Sequence, residues 1–160
     1  MHYDVFNGDA DGIIALLQLR LAEPRVSKLI TGVKRDIQLL QQVPANLATS
    51  VTVLDISMEK NLAALAGLLA QEIDVLYIDH HRTGLVPNSE HLTEIIDTDA
   101  NTCTSLLVNQ HLAGQYALWA IVAAFGDNML KAAEQLSQQA GLSAKEQDQL
   151  KALGIYINYN

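Results

Sequence analysis

The sequence predicts an α/β fold, a three-layer sandwich in which a mostly parallel, about five-stranded sheet carries helices on both faces. Three observations predict it. Short apolar runs alternate with helical patterns along the chain, as successive βαβ units require. Runs such as Val75-Leu76-Tyr77-Ile78 are apolar at consecutive positions, which suits strands covered on both sides. The acids and histidines collect just after these runs, where open parallel sheets bind ligands.

Each element follows from local pattern. Tyr3–Asn7 reads as the first strand. Gly8 and Gly12 flank a turn, and Asp11–Ala22 is dense in Ile and Leu, as a helix buried on more than one side would be. Ser27–Val33 is the second strand, and Val51–Leu54, rich in β-branched residues, the third. Ser57 is a partial cap for a helix over Glu59–Gln71, since Lys60 stands where a capping box wants Glu or Gln. Val75–Ile78 and Glu94–Ile96 are the fourth and fifth strands. Thr102 is placed to cap a helix reaching about Leu112. Further helices are expected near Gln115–Phe125 and Asn128–Gln139, and Ser143 opens a last one to about Leu153. The closing Gly-Ile-Tyr-Ile-Asn-Tyr-Asn alternates like a strand or a linker.

Composition narrows the function classes. The chain has 160 residues, enough for one domain with a sizeable core, and 49% of them are apolar. A formal net charge of −8 argues against broad, nonspecific binding to a nucleic-acid backbone. Cys103 is the only cysteine, so the chain makes no internal disulfide and no thiolate cage. A reducing, cytoplasmic setting is expected. The N-terminus lacks the basic and apolar regions of a signal peptide, and the apolar run Ala117–Phe125 is too short to span a bilayer, so no membrane partner is expected.

The polar residues then define a candidate site. The first strand runs into Asn7-Gly8-Asp9-Ala10-Asp11-Gly12, the third into Asp55, the fourth into Asp79-His80-His81-Arg82, and the fifth into Asp97 and Asp99. The apolar helix from Ala117 ends at Gly126-Asp127. If the strands are parallel, their end groups share one rim. Packed carboxylates are unfavourable unless cations offset them, and histidines near neutral pH are only partly charged. Asp oxygens with His nitrogens suit Mn²⁺, Mg²⁺, Co²⁺ or Zn²⁺, and the mixed set leans toward Mn²⁺ over Mg²⁺. Two such ions about 3.5–4 Å apart stabilise both oxygens of an in-line phosphoryl displacement.

Each residue also has a plainer reading. Asp9, Asp11, Asp55 and Asp127 are all suited to caps and turns, and Asp97 and Asp99 read as loop acids. His80 and His81 would face opposite ways on a regular strand and serve one site only if the strand has ended. Lys34, Arg35 and Arg82 follow strand ends and could hold phosphate oxygens, or be solvated surface charges. His2, His91 and His111 read as structural or surface residues, and Cys103 as packing. The joint pattern outweighs the separate readings.

In order, Asp9-Ala10-Asp11-Gly12, Asp55, Asp79-His80-His81 and Gly126-Asp127 resemble the four motifs of the DHH phosphoesterase superfamily. That superfamily includes single-strand-specific exonucleases, short-oligonucleotide and cyclic dinucleotide phosphodiesterases, manganese-dependent pyrophosphatases and exopolyphosphatases. The likeness runs from Tyr3 to about Leu130, with Asn101–Leu112 sharing it. It implies a parallel α/β domain holding two divalent cations, Mn²⁺ foremost and Mg²⁺ or Co²⁺ as alternatives. On that basis Asp9 binds one ion, Asp11 the other, Asp55 both, and His80 and Asp127 complete the set. His81 contacts the substrate, Asp79 ligates or orients the histidines, and no covalent enzyme intermediate forms. The expected substrate is a small nucleotide or a short single-stranded oligonucleotide. Inorganic pyrophosphate or polyphosphate is the alternative, and a noncatalytic metal- or partner-binding module the third reading.

Two departures qualify the likeness. Many members carry a metal-binding histidine or acid just ahead of the Asp pair, where this chain has Val5 and Asn7, so one ion is expected to bind more weakly. The family's glycine-rich, histidine-containing C-terminal domain has no counterpart after Asp127: no histidine follows His111, and only Gly141 and Gly154 remain. Residues 1–160 are therefore expected to form a single catalytic domain of a longer protein, helical over about 115–153, and its apolar end raises the expectation of a homodimer.

Overall fold

The computed structural model describes residues 1–159. Five strands form one sheet: β1 (His2–Asn7), β2 (Ser27–Gly32), β3 (Ser50–Leu54), β4 (Asp74–Asp79) and β5 (Leu92–Ile96). They lie in the order β2-β1-β3-β4-β5, and every neighbouring pair is parallel. The predicted α/β sandwich is thus observed. From β1 the chain moves to one side to form β2 and to the other to form β3. That reversal makes a crevice at the carboxyl ends of β1 and β3.

Alternation along the strands feeds two cores. Val5, Val53 and Tyr77 point to one face, where they meet Leu39 and Leu40 of a 3-10 turn and Leu65, Leu68 and Leu69 of helix α2 (Leu62–Leu69). Phe6, Leu54 and Ile78, one position on, point to the other face. There they meet Ala15, Leu16 and Leu19 of α1 (Ala10–Ala22) and Leu107 and Val108 of α3 (Thr104–His111). Helices α4 (Ala117–Gly126), α5 (Leu130–Gln139) and α6 (Ala144–Asn158) pack beyond α1 and α3.

Three local expectations are corrected. Ser57 caps nothing: its hydroxyl donates to the Arg82 carbonyl at 3.4 Å, and a 3-10 turn (Glu59–Asn61) precedes a shorter α2. Thr102 does not cap α3, which starts at Thr104 with Cys103 at its N-cap and no side-chain cap of its own. The chain's last segment is neither strand nor linker but the end of α6, which a Ser143–Glu146 capping box launches and which runs to Asn158. Asn160 lies outside the described residues. Among the described residues, no helix is long and apolar enough to cross a membrane.

The sheet's amino end carries a buried polar cluster that the sequence did not announce. Asp4 is fully buried and accepts from Arg20 Nε at 2.9 Å, Arg20 Nη2 at 2.6 Å and Ser27 Oγ at 2.6 Å. His2 joins it at 3.0 Å, which places that histidine in a structural role. Burial pushes the Asp4 carboxyl up, but the bonds from Arg20, His2 and Ser27 outweigh it and hold the group well below the usual carboxylate range. The cluster ties α1, β1 and β2 together at the end of the sheet opposite the crevice.

Candidate metal centre

The crevice gathers the predicted acids by three local devices. At the end of β1 the chain turns sharply into α1, with Asp9 as N-cap accepting from Gly12 N at 3.1 Å. This sets Asp11 in the first turn of α1, buried. Asp55 follows β3 in a left-handed conformation, φ 58°, uncommon for a residue with a side chain, and its N–H donates to the Ile78 carbonyl. Helix α4 stops because Asn128 takes φ 61°, a left-handed close that leaves Asp127 on the last turn, facing the crevice.

His80 links three of these elements. Its Nε2 lies 3.3 Å from Asp55 Oδ1, 3.8 Å from Asp11 Oδ2 and 3.9 Å from Asp127 Oδ2. Strand β4 ends at Asp79, so His80 and His81 both lie beyond it and are not held to opposite faces; their ring centroids are 4.4 Å apart. His81 Nδ1 is 2.7 Å from Oδ1 of the fully buried Asp79. That contact raises the His81 pKa against the opposing pull of burial. Asp55, His80 and His81 offer donor atoms within 4.8 Å of one another, and so do Asp11, Cys103 and Asp127.

Asp11 does two jobs. Its carboxylate accepts from the amides of Thr104 at 2.9 Å and Ser105 at 2.7 Å, so it supplies the missing cap of α3 from another element. Thr104 Oγ1 reaches Asp55 Oδ1 at 3.3 Å. Thr104, Ser105 and Cys103 were not singled out as site residues by sequence. Cys103 read as packing; it is buried, but beside Asp11 and Asp127, and burial followed by the Asp11 charge pushes its thiol up.

The basic residues separate. Lys34 Nζ is 3.5 Å from Asp9 Oδ2, on a largely exposed side chain. Arg82 is exposed just past the histidines. Arg35 is not drawn to the cluster and lines a surface hollow with Ile37, Gln38 and Gln41. Asp97 and Asp99 are exposed and close turns onto the amides of Asp99 and Asn101, in keeping with loop acids.

The donor set fits divalent cations. Burial pushes Asp55 up, and the Asp11 and Asp9 carboxylates push it further. The same causes raise Asp127 to about 7. Asp79 Oδ2 and Asn7 Oδ1 are buried with no hydrogen-bond partner among the described residues. A group of crowded carboxylates with an orphaned oxygen and one facing imidazole is short of positive charge even with Lys34 beside Asp9, a deficit that a bound cation would offset.

This crowding has a consequence for stability. Asp55, Asp127 and His81 hold protons more tightly folded than unfolded, so the stability they contribute is present at low pH and lost as pH rises. For Asp127 the window runs from about pH 4 to about 7. The Tm of metal-free protein should fall across that window in a calorimetric series. A Tm that climbs steadily through it would contradict the packing described.

An all-parallel α/β domain with carboxylates and a histidine gathered past its strand ends defines the class of protein. The chain belongs to the DHH family, whose N-terminal-domain model matches residues 3–139. Solved structures agree on the fold. A DHH-domain protein described as a member of the s1p family of ribosomal proteins superposes with a TM-score of 0.72 at 13% identity, covering 98% of this chain and 46% of that one. Exonuclease RecJ bound to manganese gives 0.50 at 21% identity, covering 79% and 38%. RecJ from Thermus thermophilus, in complex with Mn²⁺, gives 0.51 at 15% identity, covering 99% and 35%. The chain thus spans less than half the length of these structures. A comparison with curated proteins gave no match.

Proposed function

We propose that the chain is the catalytic domain of a metal-dependent phosphoesterase that hydrolyses a phosphoester in a small nucleotide or short oligonucleotide. The observation that carries this reading is His80 Nε2 facing Asp11, Asp55 and Asp127 within 3.9 Å. Membership of the DHH family and the manganese in the two RecJ structures support it.

In this reading Asp11, Asp55, His80 and Asp127 hold one divalent cation, and Asp9 with Asp55 holds the other, Mn²⁺ being preferred. Bound cations would polarise the phosphoryl oxygens and lower the pKa of a nearby water. The chain's own residues do the rest. Asp55, which has both Asp11 and Asp9 as charged neighbours, would be the ligand shared by the two ions. Asp79 takes the Nδ1–H of His81, which leaves Nε2 free to hold a proton for the departing oxygen. Lys34 and Arg82 bind phosphate oxygens; Arg35 belongs to the same proposal only for a substrate extending past β2. The domain acts as the catalytic half of a two-part enzyme, with further grip on the substrate supplied elsewhere.

The test is a panel of a dinucleotide, a cyclic dinucleotide and pyrophosphate, with and without Mn²⁺. Metal-stimulated cleavage of a nucleotide substrate is expected, and His81→Gln should lower kcat by about 10²–10⁴-fold while leaving Mn²⁺ binding intact. Preferential pyrophosphate hydrolysis would move the reading to a pyrophosphatase. Tight Mn²⁺ binding with no turnover of any substrate, even at substrate concentrations raised to offset the weaker grip of this half, would favour a noncatalytic module.

A further inference from the structure

We propose that Asn158 is a positioning residue for the metal centre, a single side-chain amide that pins the helix end carrying Asp9 and Asp11 to the helix end carrying Asp127. The proposal rests on the metal reading above. Asn158 Oδ1 accepts from Ala10 N at 2.7 Å, and Asn158 Nδ2 donates to the Gly126 carbonyl. Ala10 stands between Asp9 and Asp11, and Gly126 precedes Asp127. Asn158 lies in α6, outside the residues that the family model matches.

The chemistry of the two helix ends explains the choice of residue. Ala10 N–H is an orphan donor in the first turn of α1, and Gly126 C=O an orphan acceptor in the last turn of α4. A carboxamide serves both at once, and its orientation is fixed because the reverse would set donor against donor. Asp would set a carboxylate oxygen against the Gly126 carbonyl, acceptor against acceptor, and Leu would serve neither group.

Packing brings the amide into reach. Gly154, one turn before Asn158 on the same face of α6, lies against α4 so closely that a Cβ there would meet Val122 O at 2.3 Å. A Cβ on Gly126 would meet Ala10 Cβ at 2.8 Å and Gly154 O at 3.0 Å. Three backbones therefore converge at this point. The two ends they join carry like charges: Asp11 and Asp127 bring carboxylate oxygens within 4.8 Å of one another. When both are ionised with no ion between them, those carboxylates repel across the junction of α1 and α4, and the Asn158 amide opposes that repulsion.

Mn²⁺ affinity and Tm of wild type, Asn158→Leu and Ser143→Ala separate positioning from general support. Ser143→Ala loosens α6 at its far end by removing the capping box. Asn158→Leu should weaken Mn²⁺ binding about 10–100-fold, as lost supporting contacts to ligands do. Ser143→Ala should lower Tm and leave Mn²⁺ affinity unchanged. Wild-type affinity in Asn158→Leu overturns the proposal, and so does equal weakening in Ser143→Ala. If Asn158→Leu fails to fold, Asn158→Asp, which keeps the acceptor and loses the donor, decides by the same criterion. If wild type binds no Mn²⁺, the metal reading falls and the clamp with it.

Discussion

Asp55→Asn should lose Mn²⁺ binding by more than the ~10–100-fold that supporting residues command, because it removes the donor offered to both proposed ions. Asn is the suitable replacement. Asp55 has φ 58°, a region that Asn tolerates better than Ala, so the backbone is preserved while the charge is removed. The metal-free variant should also gain stability. Asp55 is buried beside Asp9 and Asp11, and its proton is held tightly for that reason. A neutral amide there removes the repulsion that builds as the carboxyl ionises, so Tm should exceed the wild-type value by a margin that widens as pH rises, while the Mn²⁺-induced rise in Tm disappears. Titration calorimetry and thermal melts read both effects. Binding at wild-type affinity would remove Asp55 from the ligand set and leave the two-ion proposal without its shared ligand.

Gly12→Ala should destabilise the fold by about 3 kcal/mol or more, independently of any metal. An added Cβ would stand 2.1 Å from Asn7 O, 2.8 Å from Asn7 C and 2.9 Å from Asn7 N. All three atoms are backbone, and Asn7 is held in register against Gly32 of β2. Relief would require pulling the end of β1 from the sheet or moving α1, and either displaces Asp9 and Asp11. Gly67→Ala is the matched control. Gly67 lies in α2, with open space where its Cβ would go, so Ala should be neutral or stabilising by up to about 1 kcal/mol. Denaturant unfolding of the two variants distinguishes a close-approach glycine from an incidental one. Equal stabilities would mean that the turn after β1 yields more easily than its contacts indicate.

Much of the architecture was legible because four of the five strands announce themselves twice, by an apolar run and by the acid that follows it, while β2 runs into Lys34 and Arg35. Asp9, Asp11, Asp55, His80 and Asp127 do come together, since parallel strands deliver their carboxyl ends to one rim and the end of α4 brings Asp127 to it. What the sequence concealed were partnerships over long separations. Thr102 looked like the cap of α3 because local spacing favoured it, whereas the cap is Asp11, 93 residues away from Thr104. The Asp4–Arg20 pair escaped notice because neither residue lies in a motif. The tail misled by its period: Ile155, Ile157 and Tyr159 alternate like a strand, but Gly154 is packed on α4 and the Ser143 cap launches one helix that carries through Asn158. Asn158 was invisible for the same reason as the cap, since its partners are 148 and 32 residues distant.

The borrowed cap of α3 also bears on the order in which the chain can assemble. A helix of eight residues with no side-chain cap of its own is far below the length that survives alone in water, about 12–15 residues. Its first amides find a partner only once α1 has formed and Asp11 is held at the crevice. Helix α3 therefore cannot act as an early seed of folding. It is expected to form with or after α1, so that the crevice closes in time, as in space, around the carboxylate of Asp11.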